Sequence, residues 1–266
     1  MTDYEESWAA AELEQAAFSF AKNTGWNLRF GAEIEWYFIT TPSVELLSAL
    51  FVEMAAQNLP RFVLEKERGV NQYEWALPFV DDAVLLAQQI SLARTLIKNQ
   101  AKIHQNDADF SALPYEDQPG SGLHIHVNLW NEAGEFPLAK NPDSAEESDL
   151  MLAVIEGLLR HLQESMPIFA PNLEDKKRYK PRSLSPYTVS WGGNNRTVAL
   201  RIPCSTANPW ARRIEHRVPC ANANPFAVLR VIITAIEAGI LQNMRPELEK
   251  IYGDASDSQY GLPLLY

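Results

Sequence analysis

The chain has 266 residues, of which 46% are hydrophobic and 10% aromatic, so it can bury the core of a sizeable domain. Its formal net charge of −11 at pH 7 repels phosphate backbones, and nucleic acid is therefore not an expected partner. The chain has two cysteines, too few for a disulfide framework, and their spacing is not that of a thiolate metal site. It has no signal-peptide pattern and no apolar run near the roughly 20 residues that span a bilayer. We therefore expect a cytoplasmic protein without a membrane partner.

Apolar periodicity and turn residues predict an alternation of helices and strands. Helices are predicted over residues 4–23, 44–58, 81–105, 149–165 and 224–241. Strands are predicted over 28–39, on both sides of a turn at 68–71, over 123–130, in a hairpin within 188–202, and over 212–218. A polar, acidic loop is predicted over 131–148, and no repeat or linker interrupts the chain, so one domain over residues 1–266 is expected.

The first predicted strand carries an unusual pair of acids. Ile34, Trp36 and Phe38 alternate with Glu33 and Glu35, so the two carboxylates project from one face, about 7 Å apart along the strand. Ionised neighbours repel each other unless a cation lies between them. From this stretch alone the acids could also belong to a solvated polar face.

Three later stretches carry charged or metal-binding side chains, and each has two interpretations. A strand after the Gly-Ser-Gly turn places His124 and His126 on one face, which is a moderate metal signal. Glu215 alternates with Arg213 and Arg217, which is typical either of a structural ion-pair ladder or of a metal ligand beside phosphate-binding cations. The basic run 174–182 indicates either a solvated loop or a site for an anionic substrate.

Five motifs taken in order resemble the catalytic domain of the glutamine synthetase superfamily, especially its γ-glutamyl-polyamine synthetase-like branch. They are Glu33-Ile-Glu35, Glu67-x6-Glu74, Gly120-Ser-Gly-Leu-His124-Ile-His126, Asn195-Arg196-Thr with Arg201-Ile-Pro203, and Arg213-Ile-Glu215-His-Arg217. Each motif is weak alone, but five in the family's order are specific. The resemblance implies an α+β fold with a curved, mainly antiparallel sheet packed by helices.

The resemblance also implies a metal site with two or three Mg²⁺ or Mn²⁺ ions. Such hard divalent cations prefer oxygen ligands and bridge the phosphates of ATP. Carried over by motif, one ion would lie on Glu35, Glu67 and Glu74, and another on Glu33, His124 and Glu215.

The activity implied by the resemblance is that of an ATP-dependent carboxylate–amine ligase of nitrogen metabolism. In this reaction a substrate carboxylate attacks the γ-phosphate of ATP, and an amine then displaces phosphate from the acyl phosphate; positioning and positive charge carry most of the catalysis. By motif, Arg196 and Arg217 would be catalytic, Arg201 and Arg213 would bind phosphates, His126 and Phe79 would lie beside the nucleotide, and Arg178 and Gly120 would bind the acid substrate.

Departures from the family pattern narrow these expectations. Leu184 stands where ammonia-using members carry a Glu, so an organic amine is expected rather than ammonia. Pro119 replaces an Asn that binds glutamate, which leaves the identity of the glutamate-like acid open. The family's preceding β-grasp domain is expected to be absent, so we expect a homo-oligomer other than the usual ring of twelve subunits.

Two other functions remain open at the level of sequence. Only about thirty residues separate the first two acid motifs, so the nucleotide-binding loops look trimmed, which favours a non-catalytic nucleotide- or metal-binding regulator. A phosphotransferase that stops at the phosphorylated substrate is the second alternative.

Overall fold

The computed structural model describes residues 3–60, 63–135, 138, 147–204 and 211–266. Its helices are α1 (Asp3–Thr24), α2 (Val44–Ala56), α3 (Ala83–Ile103), α4 (Asp149–Phe169) and α5 (Pro225–Leu241). The five predicted helices are confirmed, with α4 continuing beyond its predicted end at residue 165. The acidic loop predicted over 131–148 lies partly outside the described residues.

The strands are β1 (Asn27–Phe38), β2 (Val63–Lys66), β3 (Gln72–Val80), β4 (Ala108–Asp109), β5 (Leu123–Trp130), β6 (Trp191–Gly192), β7 (Leu200–Arg201) and β8 (Ile214–His216). They form one sheet in the order β2-β3-β1-β5-β8-β7-β6, with β4 paired to β1. Each pairing in this part of the chain is antiparallel apart from that of β6 with β7. A mainly antiparallel sheet packed by helices is therefore confirmed.

The central strand β1 separates the hydrophobic core from a polar cleft. Ile34, Trp36 and Phe38 are fully buried and belong to the core to which α3 and α5 also contribute. The rings of Trp36 and Phe38 make an edge-on contact with centroids 5.8 Å apart. The predicted alternation therefore holds, and it turns Glu33 and Glu35 towards the other face of the sheet.

Side-chain caps begin the helices where the sequence indicates. Ser43 accepts a hydrogen bond from the Leu46 amide at the start of α2, and Asp82 accepts one from the Val84 amide before α3. Asn224 does the same for Phe226 at the start of α5. Among the described helices, none combines the length and apolar composition needed to cross a membrane.

The hairpin predicted within 188–202 is wrong. Strands β6 and β7 run parallel, with Trp191 opposite Leu200. Asn195 Oδ1 accepts from Thr197 N at 3.0 Å in a local turn, while its Nδ2 donates to the Gly253 carbonyl at 2.8 Å. The asparagine therefore anchors a crossing segment to the C-terminal part of the chain instead of closing a two-residue turn.

Candidate active site

The register of the sheet brings the sequence-predicted acids together. Glu35 on β1 lies opposite Glu74 on β3, and Glu33 lies opposite His124 on β5. Two strands further along the sheet from β1, β8 contributes Glu215. Since paired residues on adjacent strands share a face, these side chains project into one cleft.

Two groups of possible metal ligands lie at the bottom of this cleft. Within each group, one ligand atom per residue lies within 4.8 Å of the others. The first group is the predicted set of Glu33, His124 and Glu215, in which His124 Nδ1 lies 3.3 Å from Glu33 Oε2 and 3.6 Å from Glu215 Oε1. The second joins Glu35 and Glu74 with the same histidine. Glu67 lines the cleft but belongs to neither group.

The carboxylates of the cleft shift one another's pKa. Burial, followed by the charges of Glu33 and Glu35, raises the pKa of Glu74 to about 9. Burial and the charge of Glu35 also raise the pKa of Glu67. Burial alone would raise the pKa of Glu33 as well, but hydrogen bonds with His124 and His126 hold it well below its ordinary value. The cluster therefore lacks positive charge on the side of Glu74.

The donor set suits a hard divalent cation. Carboxylate oxygens with one imidazole nitrogen match the preference of Mg²⁺ and Mn²⁺ for oxygen ligands. His124 Nε2 is buried without a hydrogen-bond partner, and Glu35 is oriented by the Gly122 amide, which donates to Glu35 Oε2 at 2.6 Å. A cation would also relieve the repulsion that raises the pKa of Glu74.

Two arginines hold Glu215, Arg201 from the neighbouring strand β7 and Arg217 from directly after β8 itself. Arg201 Nη1 donates to Glu215 Oε2 at 2.5 Å, and Arg217 Nη1 donates to Glu215 Oε1. Burial would raise the pKa of Glu215, but the charges of Arg217, His124 and His126 together outweigh it and lower the pKa to about 2. Arg196 lines the same cleft. The sequence placed Arg213 and Arg217 beside Glu215; the structure pairs Glu215 with Arg217 as predicted, and with Arg201 in place of Arg213.

Three other residues were predicted to contact the nucleotide or its phosphates. These residues, His126, Phe79 and Arg213, lie together beside Glu33. Arg213 Nε donates to His126 Nδ1 at 3.0 Å, and the Arg213 guanidinium lies 6.0 Å from the centre of the Phe79 ring. The rings of Phe79 and His126 are 6.3 Å apart. His126 Nε2 lies 2.9 Å from Glu33 Oε1, so Glu33 connects this group to the metal-ligand group.

Only one cation of the basic run 174–182 lines the cleft. Arg178 is buried, and its two terminal nitrogens donate to the carbonyls of Val218 at 2.7 Å and Arg217 at 3.2 Å, which leaves Nε without a partner. Lys177 pairs with Glu174 instead. The solvated-loop interpretation is therefore wrong for Arg178, because a 3₁₀ helix over Leu173–Arg178 turns it inward.

Glycines allow the backbone to approach this arginine and His124. A Cβ at Gly122 would lie 2.5 Å from Arg178 Nη2 and 2.7 Å from His124 Nε2. A Cβ at Gly120 would lie 2.7 Å from Arg178 Cγ. Gly120 and Leu184 both line the cleft, and the Leu184 carbonyl accepts a hydrogen bond from Arg217 Nη2 at 3.2 Å.

Sequence reasoning missed several supporting residues. The buried Gln72 accepts from the Gly69 amide and donates to the Gly120 carbonyl, and Asn194 Oδ1 accepts from Arg201 Nε. The Tyr37 hydroxyl donates to the Pro119 carbonyl at 2.8 Å. Tyr37 shares the face of Glu33 and Glu35 in the alternation, which was the available signal for it.

Comparison with known proteins places this arrangement in a family. Residues 40–260 match the family model described as glutamine synthetase, catalytic domain. The match covers most of the chain, so the chain belongs to this family, and the resemblance seen in the motifs is confirmed.

The curated relatives include both a gamma-glutamylputrescine synthetase and glutamine synthetases. The chain is 36% identical over 197 residues to gamma-glutamylputrescine synthetase of Escherichia coli K12, covering 74% of this chain and 40% of that protein. It is 31% identical over 238 residues to glutamine synthetase of Pyrococcus abyssi, covering 88% and 52%. The chain thus spans about half the length, or less, of these curated relatives.

Solved structures share the fold. A GmaS/ADP complex superposes with a TM-score of 0.82 at 21% identity, covering 97% of this chain and 65% of that one. Glutamine synthetase of Plasmodium falciparum gives a TM-score of 0.82 at 18% identity, covering 90% and 57%. At these identities the likeness establishes the fold alone.

Proposed function

We propose that this chain is an ATP- and divalent-metal-dependent ligase that joins a small, glutamate-like acid to an amine through an acyl phosphate. The convergence of six predicted metal ligands and four predicted site arginines in one cleft carries the proposal. The cleft contains Glu33, Glu35, Glu67, Glu74, His124 and Glu215 together with Arg178, Arg196, Arg201 and Arg217. Alternating acids and cations of this kind suit a metal–phosphate complex beside a substrate carboxylate.

Each part of the cleft has a role in this reaction. Bound Mg²⁺ or Mn²⁺ ions would supply positive charge to the phosphates of ATP. Arg196 and Arg217 would stabilise the charge that develops on the transferring phosphoryl group, and Arg201 would hold a phosphate oxygen. Arg178, fixed by two backbone carbonyls, would place its positive charge beside the acid substrate.

The group of His126, Phe79 and Arg213 would receive the nucleotide. The aromatic ring and the imidazole offer flat apolar surface, and the guanidinium offers charge for a phosphate. Its connection to Glu33 would couple the orientation of the nucleotide to that of the metal ligands.

The proposed amine is organic. Leu184 gives its part of the cleft wall an apolar side chain, which cannot hold or deprotonate ammonium. An alkyl amine gains hydrophobic contact at such a wall, whereas ammonium only loses water. The similarity to a gamma-glutamylputrescine synthetase supports this choice.

A non-catalytic nucleotide- or metal-binding regulator is the second candidate. Both carboxylate oxygens of Glu215 are engaged by arginines, as in the structural ion-pair ladder that the sequence also allowed. If these ion pairs persist when metal is offered, Glu215 would be a structural residue and the cleft would not assemble a reactive complex.

A coupled ADP-release assay separates these functions. The purified protein is incubated with ATP, Mg²⁺ or Mn²⁺ and glutamate, with and without amines. Amine-dependent ADP release supports the ligase, release without amine supports a phosphotransferase, and nucleotide binding without turnover supports the regulator. Glu215→Ala is expected to abolish metal-dependent turnover, so full activity in that variant would overturn the metal assignment.

The proposed amine preference has its own test at Leu184. We expect Leu184→Glu to reduce kcat/KM for 1,4-diaminobutane on the order of tenfold or more and to raise the rate with ammonium, because a carboxylate replaces the apolar wall. Leu184→Met keeps an apolar side chain of similar size and serves as the control. A wild-type enzyme that prefers ammonium to every alkyl amine would refute the assignment.

A further inference from the structure

Residues 262–266 form a short strap that pairs with a neighbouring segment in the manner of a β-strand. Val189 N donates to the Pro263 carbonyl at 2.8 Å, and Leu265 N donates to the Tyr187 carbonyl at 3.2 Å. The Leu265 side chain is buried, so apolar packing anchors the strap together with these two backbone hydrogen bonds. The residue that follows Leu265 is therefore held in a defined place.

The ring of Tyr266 contacts the end of the 3₁₀ helix that carries Arg178. Its centre lies 5.5 Å from that of the Tyr179 ring in an edge-on arrangement, and Lys176 Nζ lies 4.4 Å from the centre of the Tyr266 ring. Both contacts are attractive, because an aromatic ring has a negative face and a positive edge. The strap thus holds the Tyr179 ring from outside the cleft.

Tyr179 connects the strap with Arg178. The Arg178 guanidinium lies 5.4 Å from the centre of the Tyr179 ring. The Tyr179 hydroxyl and Arg178 Nη1 also donate to the same Val218 carbonyl, each at 2.7 Å. Both side chains are buried, and close-packed neighbours of this kind cannot move independently. Arg178 is thus linked to the ring of Tyr266 through a single residue.

The strap also holds the loop that carries Leu184. This loop, residues 180–186, begins directly after Tyr179 and ends at Tyr187, whose carbonyl bonds to the strap. Leu184 and Ser185 in this loop line the cleft. Because both ends of the loop contact one segment, few conformations remain available to it. The same strap therefore supports the arginine on the acid side of the cleft and the leucine on the amine side.

We propose that Tyr266 is a positioning residue for the acid- and amine-binding walls of the cleft. Among the described residues, it is not one that lines the cleft, and it acts through Tyr179 on Arg178 and through the strap on the loop 180–186. The inference rests on the proposed ligase function, in which Arg178 binds the acid and Leu184 contacts the amine. The proposed nucleotide group belongs to β3, β5 and the start of β8, so the sheet and not the strap sets its position.

Steady-state kinetics of Tyr266→Ala test the proposal. KM for the acid and for the amine should each rise on the order of tenfold, because small displacements of a binding group weaken its contact with substrate. KM for ATP should stay within about twofold of the wild-type value, whereas a general loss of structure would change all three constants. Tyr266→Phe keeps the ring between Lys176 and Tyr179 and should restore wild-type kinetics. Equal changes in all three constants would overturn the proposal.

Amide hydrogen exchange decides whether the strap holds the loop, independently of turnover. In Tyr266→Ala the amides of residues 182–189 should exchange faster, while those of α3 should exchange as in wild type. Tyr252→Ala removes a highly exposed tyrosine of the same part of the chain and should match wild type in exchange and kinetics. Unchanged exchange over 182–189 in Tyr266→Ala would overturn the strap. An inactive wild type would refute the ligase, whereas an active wild type with unchanged KM values in Tyr266→Ala would overturn only the positioning role.

Discussion

At the scale of single residues, Glu74 lowers the stability of the metal-free protein at a position where we propose a metal ligand. It is a carboxyl group whose pKa is raised to about 9, first by burial and then by the charges of the neighbouring acids. No described lysine or arginine pairs with it, in contrast to Glu215, which two arginines hold. Such a residue destabilises the metal-free fold, and the proposed cation would remove that cost.

Glu74→Gln should therefore have opposite effects with and without metal. In the presence of a chelator we expect its free energy of unfolding to exceed that of wild type by on the order of 1 kcal/mol, because one crowded carboxylate is gone. The increase in melting temperature caused by Mn²⁺ should shrink in the same variant, since a neutral amide is a weaker ligand. Urea unfolding and thermal scans measure the two effects.

The matched control for Glu74→Gln is Glu14→Gln on the exposed surface of α1. In this variant the free energy of unfolding and the effect of Mn²⁺ on the melting temperature should stay at the wild-type values. A metal-free Glu74→Gln protein that unfolds at lower urea concentration than wild type would contradict the electrostatic argument. An undiminished Mn²⁺ effect would remove Glu74 from the ligands.

At the scale of elements, α4 and α5 pack against each other through two glycines. A Cβ on Gly239 would lie 2.2 Å from the Ala153 carbonyl oxygen, and a Cβ on Gly157 would lie 2.3 Å from the Ala235 carbonyl oxygen. The backbones of both helices are thus in direct contact, and neither carbonyl can move as a flexible side chain would. The packing requires glycine at both positions.

Gly239→Ala is expected to destabilise the protein by about 1–3 kcal/mol, because the helices must separate to admit a methyl group. Helix propensity alone predicts the opposite, since Ala exceeds Gly by about 1 kcal/mol in a helix interior. The sign of the measured change therefore decides between packing and propensity. Gly193→Ala, whose Cβ would meet nothing closer than Lys250 Cε at 3.7 Å, is the control and should unfold like wild type.

The elements also mark the limit of what could be predicted from sequence. The alternation of β1 correctly predicted both its buried aromatic face and the direction of Glu33 and Glu35, because side-chain direction in a strand is local. That Glu35 pairs with Glu74, or that Arg201 rather than Arg213 reaches Glu215, depends on register between distant strands. Local patterns carry little information about such non-local pairing.

The predictions for two short segments, 188–202 and 174–182, were wrong for a related reason. The tendency of Asn and Gly to form turns predicted a hairpin over 188–202, but Asn195 uses its amide to bond the segment near residue 253. In the basic run, hydrogen bonds of Asp175 to Asn172 and Asn222 shape the 3₁₀ helix that directs Arg178 inward. Gly253 lies 58 residues from Asn195, and Asn222 lies 47 residues from Asp175, so neither of these two partners could be identified from the local sequence.

At the scale of the whole molecule, the acidic net charge should make the proposed nucleotide binding depend on metal. An anionic nucleotide that approaches a protein of net charge −11, with Glu33 in its cleft, meets repulsion that Arg213 and Arg201 offset only in part. Divalent ions on the carboxylates would reverse the local charge. Metal and nucleotide should therefore bind cooperatively, each strengthening the other.

We expect ADP alone, in the presence of a chelator, to leave the melting temperature of the protein nearly unchanged. Mn²⁺ alone should raise it, and Mn²⁺ with ADP should raise it by more than the sum of the separate effects, because each ligand bound to the folded state adds RT ln(1 + [L]/Kd) and the metal lowers the Kd for ADP. In Glu33→Gln, which removes the residue shared by the ligand group and the nucleotide group, this excess should be lost while the protein remains folded. Stabilisation by ADP that is equally large with chelator and with Mn²⁺ would contradict the coupling, and would mean that the arginines alone bind the phosphates.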